Sequence, residues 1–222
     1  MSFILNIDTS LETASVSIAK DGTILSFQTN DIQKEHARFV HVAITELLAK
    51  ENLKPSQLDA IGVTLGPGSY TGLRVGLSAA KGLCYALNKP LISVGTLEMM
   101  TKDVLMQIDD ATNILFCPMI DARRMEVFCA IYDADLKKIA EPHAIVLTPQ
   151  SFAEKYDKNM IMFFGSGMAK WRDITTNANA SFTTTKFLPK ALAALTFKKF
   201  SISNFEDLFS SIPQYSKFFY TL

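Results

Sequence analysis

Short apolar runs closed by turn residues open the chain. They predict strands at Phe3 to Thr9, Ala14 to Ala19 and Thr23 to Gln28, the last two joined by Asp21-Gly22, so that the three form an antiparallel meander. From Gln33 to Lys50 the period changes: Phe39, Val40, Ala43, Ile44, Leu47 and Leu48 take the i, i+3, i+4 spacing of one helix face. Ala60 to Leu65 then reads as a buried strand, Gly66 to Gly72 as a loop, Leu73 to Leu87 as a helix, Pro90 to Val94 as a strand and Leu97 to Ile108 as a helix.

The pattern then begins again. Ile114 to Ile120 is an apolar run closed by Asp121, as Ile4 to Ile7 is closed by Asp8, and strands follow at Glu126 to Tyr132 and Lys138 to Leu147. Pro149 to Tyr156 predicts a helix, Met160 to Phe164 a strand and Ala191 to Phe200 a helix. The repeated order implies an internal duplication and two α/β domains, each a mixed sheet with helices packed on it.

Composition narrows the class. With 222 residues, 22 basic against 22 acidic side chains and 48% hydrophobic residues, the chain has the make-up of a soluble globular protein and not of a disordered, collagenous or disulfide-stapled one. Zero formal charge argues against a protein that grips nucleic acid or anionic lipid unaided, since phosphate binding rests on Lys and Arg. Cys84, Cys117 and Cys129 stand far apart without a C-x-x-C, as expected in a reducing cytosol. The start lacks a basic region before Asp8 and no apolar run reaches membrane-spanning length, so a cytoplasmic protein without membrane contact is expected.

Candidate chemistry gathers in few places. Gly66-Pro67-Gly68-Ser69-Tyr70-Thr71-Gly72 joins a strand to a helix, a position where backbone N–H groups can face an anion. The nucleoside-triphosphate loop ending Gly-Lys-Ser/Thr is excluded because Leu73-Arg74 follows Gly72. The plainer reading is a tight turn with positive φ and Ser69 or Thr71 as N-cap. Ser69 lacks the flanking glycines of a hydrolase elbow, Pro67 and Thr71 standing there instead. His36 and His41 are five apart, about 140° round a helix, and no H-x-x-x-H occurs, so they read as helix-surface or interface residues and no metal site is expected; His143 reads as a solvent-facing strand residue. Asp8 and Asp121 each end a strand and could hold a metal-bound phosphate or simply cap a turn. The helix from Leu73 carries Gly76, Ala79, Ala80 and Gly82, and interior glycine costs about 1 kcal/mol relative to alanine. Close approach by a neighbour would offset that cost, whether the neighbour belongs to the same fold or to a partner.

Several of these segments together resemble the TsaB, or YeaZ, family. They are Ile4-Leu5-Asn6-Ile7-Asp8-Thr9-Ser10, Glu35-His36, the run Gly66 to Leu77, Ala80-Lys81-Gly82-Leu83 and Asp121-Ala122-Arg123-Arg124-Met125-Glu126-Val127, with Gly165-Ser166-Gly167 and Pro213 to Lys217 as weaker landmarks. The resemblance implies an actin-like ATPase fold with two ribonuclease-H-like domains, each a mixed five-stranded sheet flanked by helices. The domains are expected at 1–98, completed by 201–222, and at 99–200.

It further implies a non-catalytic subunit in the making of threonylcarbamoyladenosine beside the tRNA anticodon. The partners it implies are a TsaD-like paralogue that transfers the threonylcarbamoyl group, a TsaE-like ATPase, and a second copy as an alternative partner. ATP and metal are expected on those subunits, none on this chain alone, and tRNA only through the complex. The old glycoprotease label of such proteins reflects paralogy. Carried over, the partner surface falls on His36, Phe39, Val40, Ala43, Leu73, Arg74, Gly76, Leu77, Ala80, Lys81 and Cys84. The alternative is a small actin-fold ATPase or kinase holding Mg-nucleotide at Asp8, Ser10, Gly66, Gly68 and Ser69.

Overall fold

The computed structural model describes residues 1–156 and 159–215, which form two compact units, Met1–Met99 with Leu188–Tyr215 and Met100–Phe187. In the first, β1 (Phe3–Asp8), β2 (Ala14–Lys20) and β3 (Thr23–Asn30) pair antiparallel, and β4 (Ala60–Gly66) and β5 (Leu91–Gly95) join β1 in parallel to give the order β3-β2-β1-β4-β5. In the second, β6 (Ile114–Asp121), β7 (Glu126–Tyr132), β8 (Lys138–Val146), β9 (Met160–Phe164) and β10 (Ala180–Phe182) form the sheet β8-β7-β6-β9-β10 with the same directions. The duplicated strand-then-Asp pattern is therefore a duplicated topology, two mixed five-stranded sheets flanked by helices.

β1 is the middle strand and is buried on both faces, its polar Asn6 and Asp8 included. Leu5 and Ile7 face α1 (His36–Lys50) and α2 (Tyr70–Leu87), meeting Val40, Ala43, Ile44 and Leu47 of the one and Leu77, Ala80 and Cys84 of the other. Ile4 faces the other way, with Ala60 and Ile92, onto Phe197 and Phe200. Those aromatic residues belong to α6 (Pro189–Ser201), whose Thr196 hydroxyl donates to Asn6 Oδ1 at 2.6 Å. The helix assigned by sequence to the second domain thus covers the back of the first sheet. A middle strand needs a lid on each face, and nothing nearer in sequence supplies this one.

After α6 the chain stays with the same unit. Glu206 pairs with Leu91 at the edge of β5, and Gln214 N–H donates to Leu65 O at 2.8 Å. Residues 216–222, included in the expected completion of the first domain, and the Ser216 and Lys217 of the closing landmark lie outside the described residues.

α3 (Thr96–Leu105) is shorter than expected from sequence. The helix expected from Pro149 reduces to one turn, α4 (Ala153–Tyr156), and α5 (Met168–Arg172) and β10 had no sequence signal because each is five residues or fewer. The second core joins Cys117, Met119, Val127, Cys129 and Ile131 to Phe163, Met168 and Trp171.

Candidate functional site

The loop after β4 is locked to the loop after β1. Asp8, 6% exposed, accepts at Oδ1 from Ser10 N–H (2.9 Å), Ser10 Oγ (2.6 Å) and Thr64 Oγ1 (2.7 Å). Ser10 O in turn accepts from Ser69 N–H at 2.8 Å, and Thr9 Oγ1 donates to Gly72 O at 2.6 Å. Ser69 is the N-cap of α2, its Oγ accepting from Gly72 N–H at 3.2 Å. Of the three loop glycines only Gly66 has positive φ, at 120°. The other two answer a steric demand, since a Cβ on Gly68 would lie 2.3 Å from Ser10 O and one on Gly72 would lie 2.0 Å from Thr9 O.

These contacts do not fit a nucleotide phosphate. One Asp8 oxygen is fully engaged by its own fold, the space beside Gly68 is filled by the Ser10 carbonyl, and the Ser69 amide is spent on that carbonyl. Asp8→Ala is expected to lower stability by about 3 kcal/mol, because it strands the buried Thr64 and Ser10 donors. Thermal or urea melts check this, and an unchanged midpoint would return Asp8 to the pool of ligand-binding carboxylates. Asp121 is likewise a turn residue: its Oδ1 accepts from Arg123 N–H at 2.6 Å and from Lys170 Nζ at 2.7 Å. Burial is the largest single influence and acts to raise its pKa, but the bonds from Lys170 and Arg123 together outweigh it and hold the carboxyl below its usual value.

The structure divides the expected partner surface. His36, Val40, Ala43, Leu73, Gly76, Leu77, Ala80 and Cys84 point inward and are buried in the first unit. Gly76 faces Thr9, whose Oγ1 would stand 2.4 Å from an added Cβ, so its close neighbour is the protein's own loop. His36, expected on the helix surface, is 3% exposed, and its Nε2 has no hydrogen-bond partner among the described residues.

Phe39 is half-buried against the core, leaving Arg74 and Lys81 as the outward members. Both are engaged by the end of the chain. Arg74 lies 4.0 Å over the Tyr70 ring and donates to Tyr215 Oη at 2.9 Å, while Lys81 Nζ donates to Phe209 O and Ser211 O at 3.2 and 3.1 Å.

Arg74 apart, the outward face of the helix pair is a different set. Ala37, His41, Tyr70, Thr71, Arg74, Val75, Ser78 and Ala79 line an open groove of about 510 Å³ between α1 and α2. One turn on, Gly82 is exposed, and a Cβ there would meet nothing within 4 Å. It is the glycine of α2 for which the described residues provide no internal reason. Periodicity could not separate it from Gly76, because small and apolar residues occur on both sides of α2. Among the described residues no group of three His, Cys, Asp or Glu side chains converges to hold a metal ion, and no helix is long and apolar enough to cross a membrane.

Residues 27–205 match the family model described as TsaD, tRNA N6-adenosine threonylcarbamoyltransferase. The tRNA threonylcarbamoyladenosine biosynthesis protein TsaB of Escherichia coli is 31% identical over 77% of this chain and 74% of its own length. The chain belongs to the TsaB family. The TsaB of Bacillus subtilis is 33% identical over 58% of this chain and 54% of its own. The fold agrees: YeaZ from Pseudomonas aeruginosa superposes with a TM-score of 0.83 over 97% of this chain and all of that one, at 22% identity. A second crystal structure, of an uncharacterized protein with similarity to peptidase YeaZ from Pseudomonas aeruginosa, gives 0.85 at the same identity over 98% of this chain. The two mixed five-stranded sheets flanked by helices anticipated from the TsaB motifs are thus shared with YeaZ.

Proposed function

We propose that the chain works in tRNA threonylcarbamoyladenosine biosynthesis as a partner subunit without a reactive centre of its own, docking a TsaD-like paralogue through the outward face of α1 and α2. The observation that carries this reading is Gly82, an interior helix glycine on an exposed face beside an open groove, in a member of the TsaB family. Glycine there costs about 1 kcal/mol, and a closely approaching helix is a compensation that the described residues do not supply. His41, Ser78 and Thr71 give the face small or polar contacts, and Val75, Tyr70 and the exposed Tyr85 give it apolar area.

The contacts that fill the loop beneath α2 support the absence of nucleotide chemistry on this chain, so ATP and metal belong to the partners, a TsaE-like ATPase among them. Neutral net charge fits a subunit that meets tRNA only through the complex, in the cytoplasm.

The test is direct. The purified chain mixed with the TsaD-like paralogue of its own organism is expected to elute from size exclusion as one heteromeric species with the summed mass by light scattering. Separate elution of the two at tens of micromolar would refute the docking role. A second copy on the same face would show as a homodimer that the paralogue dissociates.

A further inference from the structure

The second unit holds a thiol–imidazole pair that the docking role does not use. Cys129 lies in β7, between the middle strand β6 and the edge strand β8, and points into the core with Val127 and Ile131. Met119 of β6 stands opposite it, so Cys117, two residues along the same face, is its diagonal neighbour. On the other side its register partner is His143 of the edge strand β8, whose Nε2 is 3.9 Å from Cys129 Sγ. His143 is therefore more than a solvent-facing strand residue.

Its Nδ1 lies 2.7 Å from Glu141 O, and a carbonyl only accepts, so Nδ1 keeps a proton and Nε2 is the atom that exchanges one with the sulfur. A nucleophile, a base and a third group that orients the base are thus in place.

The three cysteines are equally hidden, Cys84 being 1% exposed and Cys117 and Cys129 0%, but their surroundings differ. The hydrogen bond from the Cys117 thiol brings Cys129 down to about 6, against burial and with help from His143. His143 is raised to about 9, chiefly by its bond to Cys129. Burial pushes Cys117 well above the ordinary thiol value and Cys84 up to about 12. Backbone pairing is also interrupted near Cys129. The β6–β7 ladder lapses at Cys117 and Pro118, where proline has no N–H to give, and the β7–β8 register shifts just after Cys129.

We propose that Cys129 is a site of oxidation by hydrogen peroxide, which enters beside the edge strand, with His143 as its acid–base partner. The Cys129 thiolate attacks one peroxide oxygen; the S–O bond forms as the O–O bond breaks, and the departing hydroxide takes the Nε2 proton of His143 and leaves as water. Sulfur loses two electrons and the peroxide gains them. The product is a Cys129 sulfenic acid lying beside the Cys117 thiol, which becomes a sensor of peroxide within the subunit.

The native full-length chain is treated with hydrogen peroxide, quenched in denaturant with a cyclic 1,3-diketone that traps sulfenic acids, and its three cysteine peptides are followed by mass spectrometry. Trapping is expected on Cys129 well ahead of Cys84 and Cys117. His143→Gln, a change on an exposed edge strand, is expected to slow it about a hundredfold, the usual cost of removing the general acid that protonates a leaving group. Equal oxidation of all three cysteines, or on Cys129 neither trapped sulfenic acid nor a disulfide to Cys117, in the unaltered chain would overturn the assignment without recourse to any variant. An unchanged rate in a folded His143→Gln protein would overturn the part given to the imidazole.

Discussion

Gly72→Ala is expected to destabilise the first unit by about 3 kcal/mol, more than any surface change in the molecule. The new Cβ would lie 2.0 Å from Thr9 O, and its neighbour is backbone, so no side-chain rotation relieves the clash. The Thr9 loop is also unable to step aside. Thr9 Oγ1 is bound to Gly72 O at 2.6 Å, Ser10 O to Ser69 N–H at 2.8 Å, and Ser10 itself to Asp8. Alanine's advantage over glycine in a helix, about 1 kcal/mol, is too small to offset this. Urea unfolding followed by circular dichroism should show the midpoint falling with little change in slope. A midpoint at or above that of the unaltered chain would mean that the two loops are not pressed together as described.

The second large effect lies on the exposed face of the same helix. Gly82→Leu is expected to leave the isolated chain folded and slightly more stable, by up to about 1 kcal/mol, because its Cβ meets nothing within 4 Å and leucine is the better helix former. Affinity for the TsaD-like paralogue should nevertheless fall about a hundredfold or more, the cost of about 3 kcal/mol or more that a bulky group at the centre of a close helix contact brings. Ser78→Arg, in the adjoining groove, should act the same way. Calorimetric or interferometric titration reads the affinity, and the melting curve keeps loss of binding distinct from loss of fold. Undiminished affinity in both folded variants would move the docking surface off α2. By contrast, Gly76→Leu is expected to fail at the level of folding, because Thr9 already occupies the space beside it.

The contrast between Gly76 and Gly82 also marks where sequence reading reached its limit. Both are helix-interior glycines in one small-residue stretch, and the cost of each is visible in sequence. What offsets that cost is not, because α2 has small or apolar residues around most of its circumference and periodicity gives no single buried face. The same limit placed Val40, Ala43, Leu77, Ala80 and Cys84 on the partner surface when they fill the core between the helices and β1. His143 and Cys129 are fourteen residues apart and meet only through the register of β7 with β8. No spacing rule reports such a pair.

The chain's own pattern determined the strands of both halves except β10, the two long helices, the loop that joins β4 to α2 and the repeated strand-then-Asp order, because each depends on contacts between residues close in sequence or on a periodicity that one segment carries by itself. Tertiary structure decided the rest. It gave α6 and the described end of the chain to the first sheet, turned Asp8 into a clasp between loops and chose which glycine faces out. The physical reason is that burial is shared: which face of an element lies inside depends on the segments packed against it, and those come from distant parts of the chain.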